Sequence, residues 1–455
     1  MESIYLDTLS ISSYINEEGL TEDQKRGMEV FRKGENVVIT GPGGTGKTYL
    51  IQKIREYCYL MKMKVGITAM TGCAAYLING NTLHSWAGIG LGEESVSELV
   101  KQIKKSRYAK QRWKNTRVLV IDEISMMDKN LFEKMEEISR IMRGNSRMWG
   151  GLQICVLGDM CQLPPCGSEF CFESRKWDDT FKNVVDMKKI VRQKDKIFCK
   201  CLNEIRFGIV REKTLKLLEE CSNRKLDEEN SIKPTRLYAY NNKVSKINKE
   251  ELNKLGENVK KYKCRTDIEI KDYDKYAESE SGYHSRMMDK NLQYEEELEL
   301  AVGAQVMLLI NLDVKKGLVN GSRGIVRGFE GDLPVVRFLH GIEKIVDWNS
   351  WIRDEDKYKI SKQQIPLKLA WACSIHKIQG STLDLVEVDI KEIFEYGQVY
   401  VALSRVRNPE CLYIKQYDIK KIKCHPKAIA FYIKLKKKML NKYNEEGDIK
   451  EDRKC

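Results

Sequence analysis

The sequence predicts an α/β fold of two domains built on parallel sheets, the second interrupted by a small β-barrel. Three observations lead there. First, from Asn36 onward short β-branched runs alternate with helical stretches: VVIT at 37–40, KVGIT at 64–68, RVLVID at 117–122 and LQICVLGD at 152–159. Runs of this kind, bounded by glycine and polar turns, are what a parallel sheet buried on both faces requires. Second, a new apolar strand, RLYAY at 236–240, opens a further α/β unit, and the pattern returns in LKLAWACSI at 367–375 and LVEVDI at 385–390. Third, between Leu300 and Trp351 the chain changes to short strands punctuated by glycine, VGAQVMLLI, GSRGIVRGF and LPVVRFL, as a small barrel would.

The expected boundaries are an N-terminal segment at 1–20, a first domain at 21–185, a second domain at 186–245 and 362–440, an insertion at 246–361 and a solvated tail at 441–455. At 455 residues the chain exceeds one domain, and it contains no apolar run long enough to cross a bilayer. Its net charge of +13 favours a polyanionic partner, because lysine or arginine beside a phosphate releases condensed counterions. Charge alone does not demand one. The 14 cysteines are scattered, and Cys161, Cys166, Cys171, Cys199 and Cys201 form no CxxC pair with a nearby histidine, so they are expected to be reduced core thiols in an intracellular protein. The first twenty residues lack lysine and arginine, which fits neither a secretory signal nor a transit peptide. Residues 246–298 are dense in mixed charge and read as surface helices, loops or a flexible insertion. The run KLKKK at 434–438 leaves nuclear targeting open.

The most informative motif is GPGGTGKT, comprising Gly41, Pro42, Gly43, Gly44, Thr45, Gly46, Lys47 and Thr48, set between a predicted strand and a predicted helix. Glycines there let backbone N–H groups turn inward around phosphate oxygens, and the helix N-terminus adds a favourable dipole. Lys47 is expected at the β and γ phosphates of ATP, and the Thr48 hydroxyl on Mg²⁺. RVLVIDEIS supplies the other half of such a site. A buried strand that ends in two acids, Asp122 and Glu123, is costly unless a cation uses them. Asp122 is placed to hold Mg²⁺ and Glu123 to deprotonate the attacking water.

Beyond these motifs the chain resembles a known family. LGDMCQLPP at 157–165 looks like the third motif of superfamily-one helicases, in which Gln162 senses the γ phosphate. RIMRGNSRMWGGLQ at 140–153 is similar to the segment that marks the RecD-like Pif-one (petite integration frequency) helicases. TAMTGCAAYLINGNTLHSWAGIG at 68–90, VRQKD at 191–195, LAWACSIHKIQGSTLD at 369–384 and VYVALSRVRNP at 399–409 extend the match from about Gln24 to Tyr417. Met160-Cys161 and Cys373-Ser374 depart from the usual pattern.

The resemblance implies two RecA-like P-loop motor domains with an SH3-like barrel inserted in the second, and ATP-dependent unwinding of DNA with 5′ to 3′ polarity. It implies that Gln24 reads adenine and that Arg192 and Arg405 reach the γ phosphate from the second domain. It further implies that Thr71, His84, Trp86, His376 and Lys377, with Gln398, Tyr400 and Ser404 in the 398–417 stretch, contact single-stranded or forked DNA. A strand-separating wedge is expected at about 90–114, and a monomer or transient dimer on DNA. Roles in replication, repair, recombination and telomere maintenance belong to the same implication, as does the nucleus if the source is eukaryotic. Two other functions fit the motifs: a DNA-stimulated ATPase that remodels nucleoprotein without strand separation, and a nucleotide switch that toggles a protein partner.

Overall fold

The first domain begins at a reciprocal cap: the Thr21 hydroxyl accepts from the Gln24 N–H, the Gln24 side chain accepts from the Thr21 N–H, and helix Glu22–Arg32 follows. The computed structural model describes residues 17–225, 232–256, 258–271, 277–291, 294–313, 315–339, 341–354 and 358–451. Of the expected N-terminal segment, residues 1–16 lie outside the described residues.

Six strands form the first sheet: β1 (Val37–Thr40), β2 (Val65–Ala69), β3 (Asn81–Thr82), β4 (Val118–Asp122), β5 (Gln153–Gly158) and β6 (Asn183–Asp186). They pair in parallel in the order β3-β2-β4-β5-β1-β6. Both faces are covered, which explains the continuous apolar runs. Leu119 and Ile121 of β4, with Ile154 and Val156 of β5, join one core. Their alternates Val118, Val120, Cys155 and Leu157 join the other, with Met28, Leu50 and Ile54 from the flanking helices. Since β1, β5 and β4 are neighbours, the segments after Thr40, Gly158 and Asp122 emerge side by side at one carboxyl edge. Open parallel sheets bind ligands at such an edge.

The second parallel sheet has four strands, Ala372–Ser374, Thr235–Tyr238, Val386–Asp389 and Leu412–Gln416, in that order. Between its first and later strands, a five-stranded antiparallel sheet joins Glu343–Ile345, Leu333–Phe338, Arg323–Glu330, Gln305–Leu308 and Leu367–Leu369. Leu367–Leu369, expected in the second parallel sheet, pairs instead with Gln305–Leu308. The segment 246–298 is more ordered than its charge suggests, with helices Asn241–Asn253 and Ala277–Asn291 and strands Lys260–Lys263, Arg265–Ile270 and Glu297–Leu300. Arg265–Ile270 is exposed along nearly its whole length, so no apolar alternation announces it. Its partner Tyr358–Gln364 holds it in place.

Within the expected wedge at 90–114, helices Val96–Lys105 and Arg107–Asn115 bury Leu99, Ile103 and Trp113 in the first-domain core. The C-terminal helix, Pro426–Glu451, expected in the second domain, places Ala428, Tyr432 and Leu435 in the first-domain core, while Tyr432 also packs against Arg206 and Phe207. Its backbone is helical through most of the expected tail at 441–455. Of the expected core thiols, Cys58, Cys155, Cys161 and Cys171 are buried, but Cys166 is exposed. No helix among the described residues is long and apolar enough to cross a membrane.

The domains are joined by a buried ion pair. Asp159, just past β5, takes both Nε and Nη2 of Arg206 at 2.9 and 2.8 Å, from helix Lys196–Arg206 whose Phe198, Leu202 and Ile205 belong to the second core. Tyr432 lies 4.4 Å from the guanidinium, donates to Asp159 at 2.9 Å and is 2.7 Å from the Thr40 hydroxyl. Burial opposes ionisation of Asp159, but Arg206 outweighs it and holds the carboxyl below its usual range. That contribution is present above the unfolded carboxylate pKa and is lost as pH falls through the depressed value. Arg206→Ala therefore strands a buried carboxylate and should cost about 3–5 kcal/mol in urea unfolding at neutral pH. The deficit should shrink as pH approaches 4, on the order of the unfolded carboxylate pKa.

Candidate functional site

The P-loop lies where β1 gives way to helix Lys47–Leu60, and Gly46 caps that helix in the left-handed conformation. Gly44 also has positive φ, +85°, and a Cβ there would sit 2.7 Å from the Cβ of Arg192, so only glycine fits. The Lys47 ammonium donates to the carbonyls of Gly41 and Pro42 at 2.7 and 2.9 Å. Burial lowers its pKa, opposed by the carboxylates of Asp159, Glu123 and Asp122. Thr48 stands one residue further along the helix.

Asp122 ends β4, and burial with the adjacent Glu123 charge pushes its carboxyl up to about 7. A buried acid so poorly compensated is suited to a cation. Asp122 and Thr48 are the residues that could hold one. Glu123 follows in left-handed backbone, φ +54°, and is buried. Its Oε2 accepts from the Gln379 amide at 2.8 Å, a contact across the cleft from the second domain.

Arg192 and Arg405 meet the P-loop from the same side. The backbone N–H groups of Val191 and Arg192 donate to the Gly44 carbonyl at 2.7 and 3.1 Å. The Arg192 guanidinium donates to Ser404 O and Gly380 O, and burial, then the Arg405 charge, lowers its pKa to about 9. Arg405, 1% exposed, donates to Val401 O and Ser404 Oγ, and its Nη2 lies 3.3 Å from the Cβ position of Gly43. Two guanidinium groups, the half-buried Lys47 ammonium and three buried carboxylates thus lie around one P-loop, where fixed charge acts strongly on a transferring phosphoryl group.

Several expected residues are placed differently. Gln24 is buried and its amide donates to Thr45 O and Gly46 O while its oxygen caps Thr21, so the edge expected to read adenine is committed to the protein. Gln162 is buried, and among the described residues its side-chain oxygen has no hydrogen-bond partner. Gln398, Tyr400 and Ser404, expected on DNA, are all buried. The Tyr400 hydroxyl accepts from the Gly43 N–H at 2.8 Å, and Ser404 serves the two arginines, so helix Gln398–Leu403 faces the nucleotide loop and not a strand. Trp86 is a core residue, 4% exposed and 4.9 Å from the Trp113 ring.

The other strand candidates remain near the surface. Thr71 caps helix Gly72–Leu77, His84 lies in Leu83–Ala87 with its pKa lowered by burial, and His376 and Lys377 form a turn after strand Ala372–Ser374. Beside them is a cleft of about 660 Å³ between the first domain and the insertion, lined by Tyr76, Asn79, Asn81, Asn311, Asn349 and Trp351 among others. The rings of Tyr76 and Trp351 are 6.4 Å apart. Sequence reasoning missed this cleft, as it missed Asp159, Gln193 and Gln379. Asp159 carried a usable signal, an acid at the end of an apolar strand. The two glutamines carried none.

Comparison with known proteins agrees with this geometry. Residues 19–215 match the PIF1-like helicase model, and residues 287–329 match that of the DNA helicase Pif1 2B domain. The chain is 36% identical over 457 residues to the ATP-dependent DNA helicase PIF1 of Xenopus laevis, covering 98% of this chain and 69% of that protein. The crystal structure of Pif1 helicase from Candida albicans superposes with a TM-score of 0.72 at 35% identity, covering 91% of this chain and 99% of that one. Bacteroides sp Pif1 in complex with ADP-AlF4 gives a TM-score of 0.75 at 29% identity, over 92% of this chain and 97% of that one. The chain spans about two thirds of the length of its curated animal relatives, 69% of the frog protein and 64% of the human one. The chain belongs to the PIF1-like helicase family.

Proposed function

We propose that the chain is an ATP-driven DNA helicase that moves 5′ to 3′ along single-stranded DNA and opens duplex or forked DNA ahead of it. One observation carries the reading: Arg192 and Arg405 converge on the P-loop from the side of the second domain, opposite Lys47 and Glu123. A cleft that needs both domains to complete it couples hydrolysis to their relative movement, which is what a motor requires and a simple nucleotide store does not. The solved Pif1 structures include complexes with single-stranded DNA and at forked duplex DNA.

In this reading Lys47 and the P-loop amides bind the β and γ phosphates, Glu123 activates the attacking water and the two arginines neutralise charge developing on the phosphoryl group. Gln162 senses the γ phosphate, and Gln24 reads adenine after exchanging its bonds to the P-loop. Mg²⁺, held by Thr48 and Asp122, would screen the phosphate charge. Lys377, His376, Thr71 and His84 contact the strand, whose bases rest in the asparagine-lined cleft on Tyr76 and Trp351. The helices at 96–115 act as the wedge, and the five-stranded sheet is an SH3-like barrel that closes over the strand. The protein works as a monomer or transient dimer on DNA in genome maintenance, including repair and recombination.

Strand displacement on tailed duplexes tests the reading. With Mg²⁺ and ATP, a duplex with a 5′ tail should open and one with only a 3′ tail should not; the reverse overturns the polarity, and ATP turnover with neither opened favours a translocase that does not separate strands. Lys47→Ala and Glu123→Gln should each lower phosphate release by roughly 10²–10⁴-fold, with the glutamine variant still binding nucleotide in filter or fluorescence assays. Gly44→Ala, strained by about 1–3 kcal/mol in left-handed backbone, should weaken nucleotide binding by the corresponding factor of roughly 5–150 in a fluorescent-ATP titration.

A further inference from the structure

We infer that Gln379 is a positioning residue for hydrolysis, which aims Glu123 and the attacking water from the same turn that faces the strand. The inference rests on the DNA-dependent reading above and assigns the element that links strand to nucleotide.

Gln379 is 2% exposed, and its Nε2 donates to Glu123 Oε2 at 2.8 Å. The polarity of that bond is fixed by chemistry, since a carboxylate accepts only from the NH₂ end of an amide. The other end, Oε1, is buried and, among the described residues, has no hydrogen-bond partner. A buried acceptor beside a general base calls for a donor. A water held between Gln379 Oε1 and Glu123 can donate one proton to each, which orients its lone pair and leaves Glu123 to take the proton as the phosphorus is attacked.

The neighbours of Gln379 make the same turn a hub. Gly380 O accepts from Arg192 at 3.1 Å, and Ser381 O accepts from Arg405 at 3.4 Å. Three successive residues thus hold the base and both arginines. On the other side, the Cβ position of Gly380 lies 3.1 Å from Leu77, at the end of the helix that Thr71 caps. His376 and exposed Lys377 lie on the 3₁₀ turn His376–Ile378, which Gln379 directly follows. A shift of this turn on meeting phosphate cannot leave Glu123 unmoved, because the amide bond and the two carbonyl bonds move with it.

Steady-state ATPase assays of the full chain with and without oligothymidine, with anisotropy to measure oligonucleotide affinity, test the assignment. Gln379→Ala should lower kcat in saturating oligonucleotide by roughly 10²-fold, the size expected for one preorganised group at a reacting centre, with KM for ATP and oligonucleotide affinity changed less than about twofold. Gln379→Glu keeps the length but sets two carboxyls against each other. It should be as slow as the alanine variant, again with KM for ATP and oligonucleotide affinity changed less than about twofold. Near-normal kcat in either variant, or an equal loss of ATP or oligonucleotide affinity, would overturn the inference. Wild type indifferent to oligonucleotide would instead overturn the DNA-dependent reading on which it rests.

Discussion

The fold is organised around charge taken out of water in one cleft. The half-buried Lys47 lies near Asp159, Glu123 and Asp122, and Arg192 and Arg405 flank the same P-loop. Desolvating any of these groups alone costs several kcal/mol or more, on the order of the penalties that normally exclude charge from protein interiors. They are tolerated because a parallel sheet brings three strand ends together at one edge, so acids and ammonium compensate each other within a few side chains. The rigid sheet fixes the acids, Arg192 is tied to the P-loop through its own backbone N–H, and Arg405 and Gln379 reach the cleft from segments whose neighbours Leu403, Val406 and Ile378 belong to the second core.

The relation of the two domains is set at one point by a bond of a different kind. Asp159 and Arg206 are bidentate, almost fully buried, and enclosed by Tyr432 and Phe207. Tyr432 comes from the last helix of the chain, which returns to the first domain after the second has been completed. The chain therefore crosses between domains more than once, and the ion pair lies where the crossings meet. A buried pair of this kind adds little net stability over an apolar substitute, but it enforces geometry because either partner left alone is so costly.

What could be read in the sequence follows from what local pattern encodes. Strand runs, the glycine loop and the acid pair were legible because period, glycine and terminal acids are local signals, and their order along the chain put them at one sheet edge. Tyr400 and Ser404 were expected on DNA from the family resemblance, and no local pattern opposed it: helix Gln398–Leu403 is buried on every side, which erases the amphipathic stripe that would have shown its facing. Trp86 sat in a segment rich in strand-binding candidates, yet its ring fills the space against Trp113. The C-terminal helix reads as a lysine-rich surface element, and only packing reveals that Ala428, Tyr432 and Leu435 belong to a core whose first-domain members run from Val38 to Phe181. Contacts between domains leave no periodic trace in either partner.

The glutamines of the cleft show why such contacts are built as they are. Gln162, Gln193 and Gln379 each present an amide oxygen with no protein partner, and Gln24 and Gln193 use their NH₂ groups on backbone carbonyls of the other elements. An amide carries no net charge, so it can exchange one partner for another at a net cost near that of a single hydrogen bond, about 0.5–1.5 kcal/mol. A carboxylate or guanidinium making the same exchange would have to be desolvated afresh at every step. A site that opens and closes in each cycle is therefore better served by amides at its moving surfaces and by ions only where the geometry is fixed. The chain follows that division: its bidentate ion pair sits at the domain junction, and its exchangeable amides line the cleft.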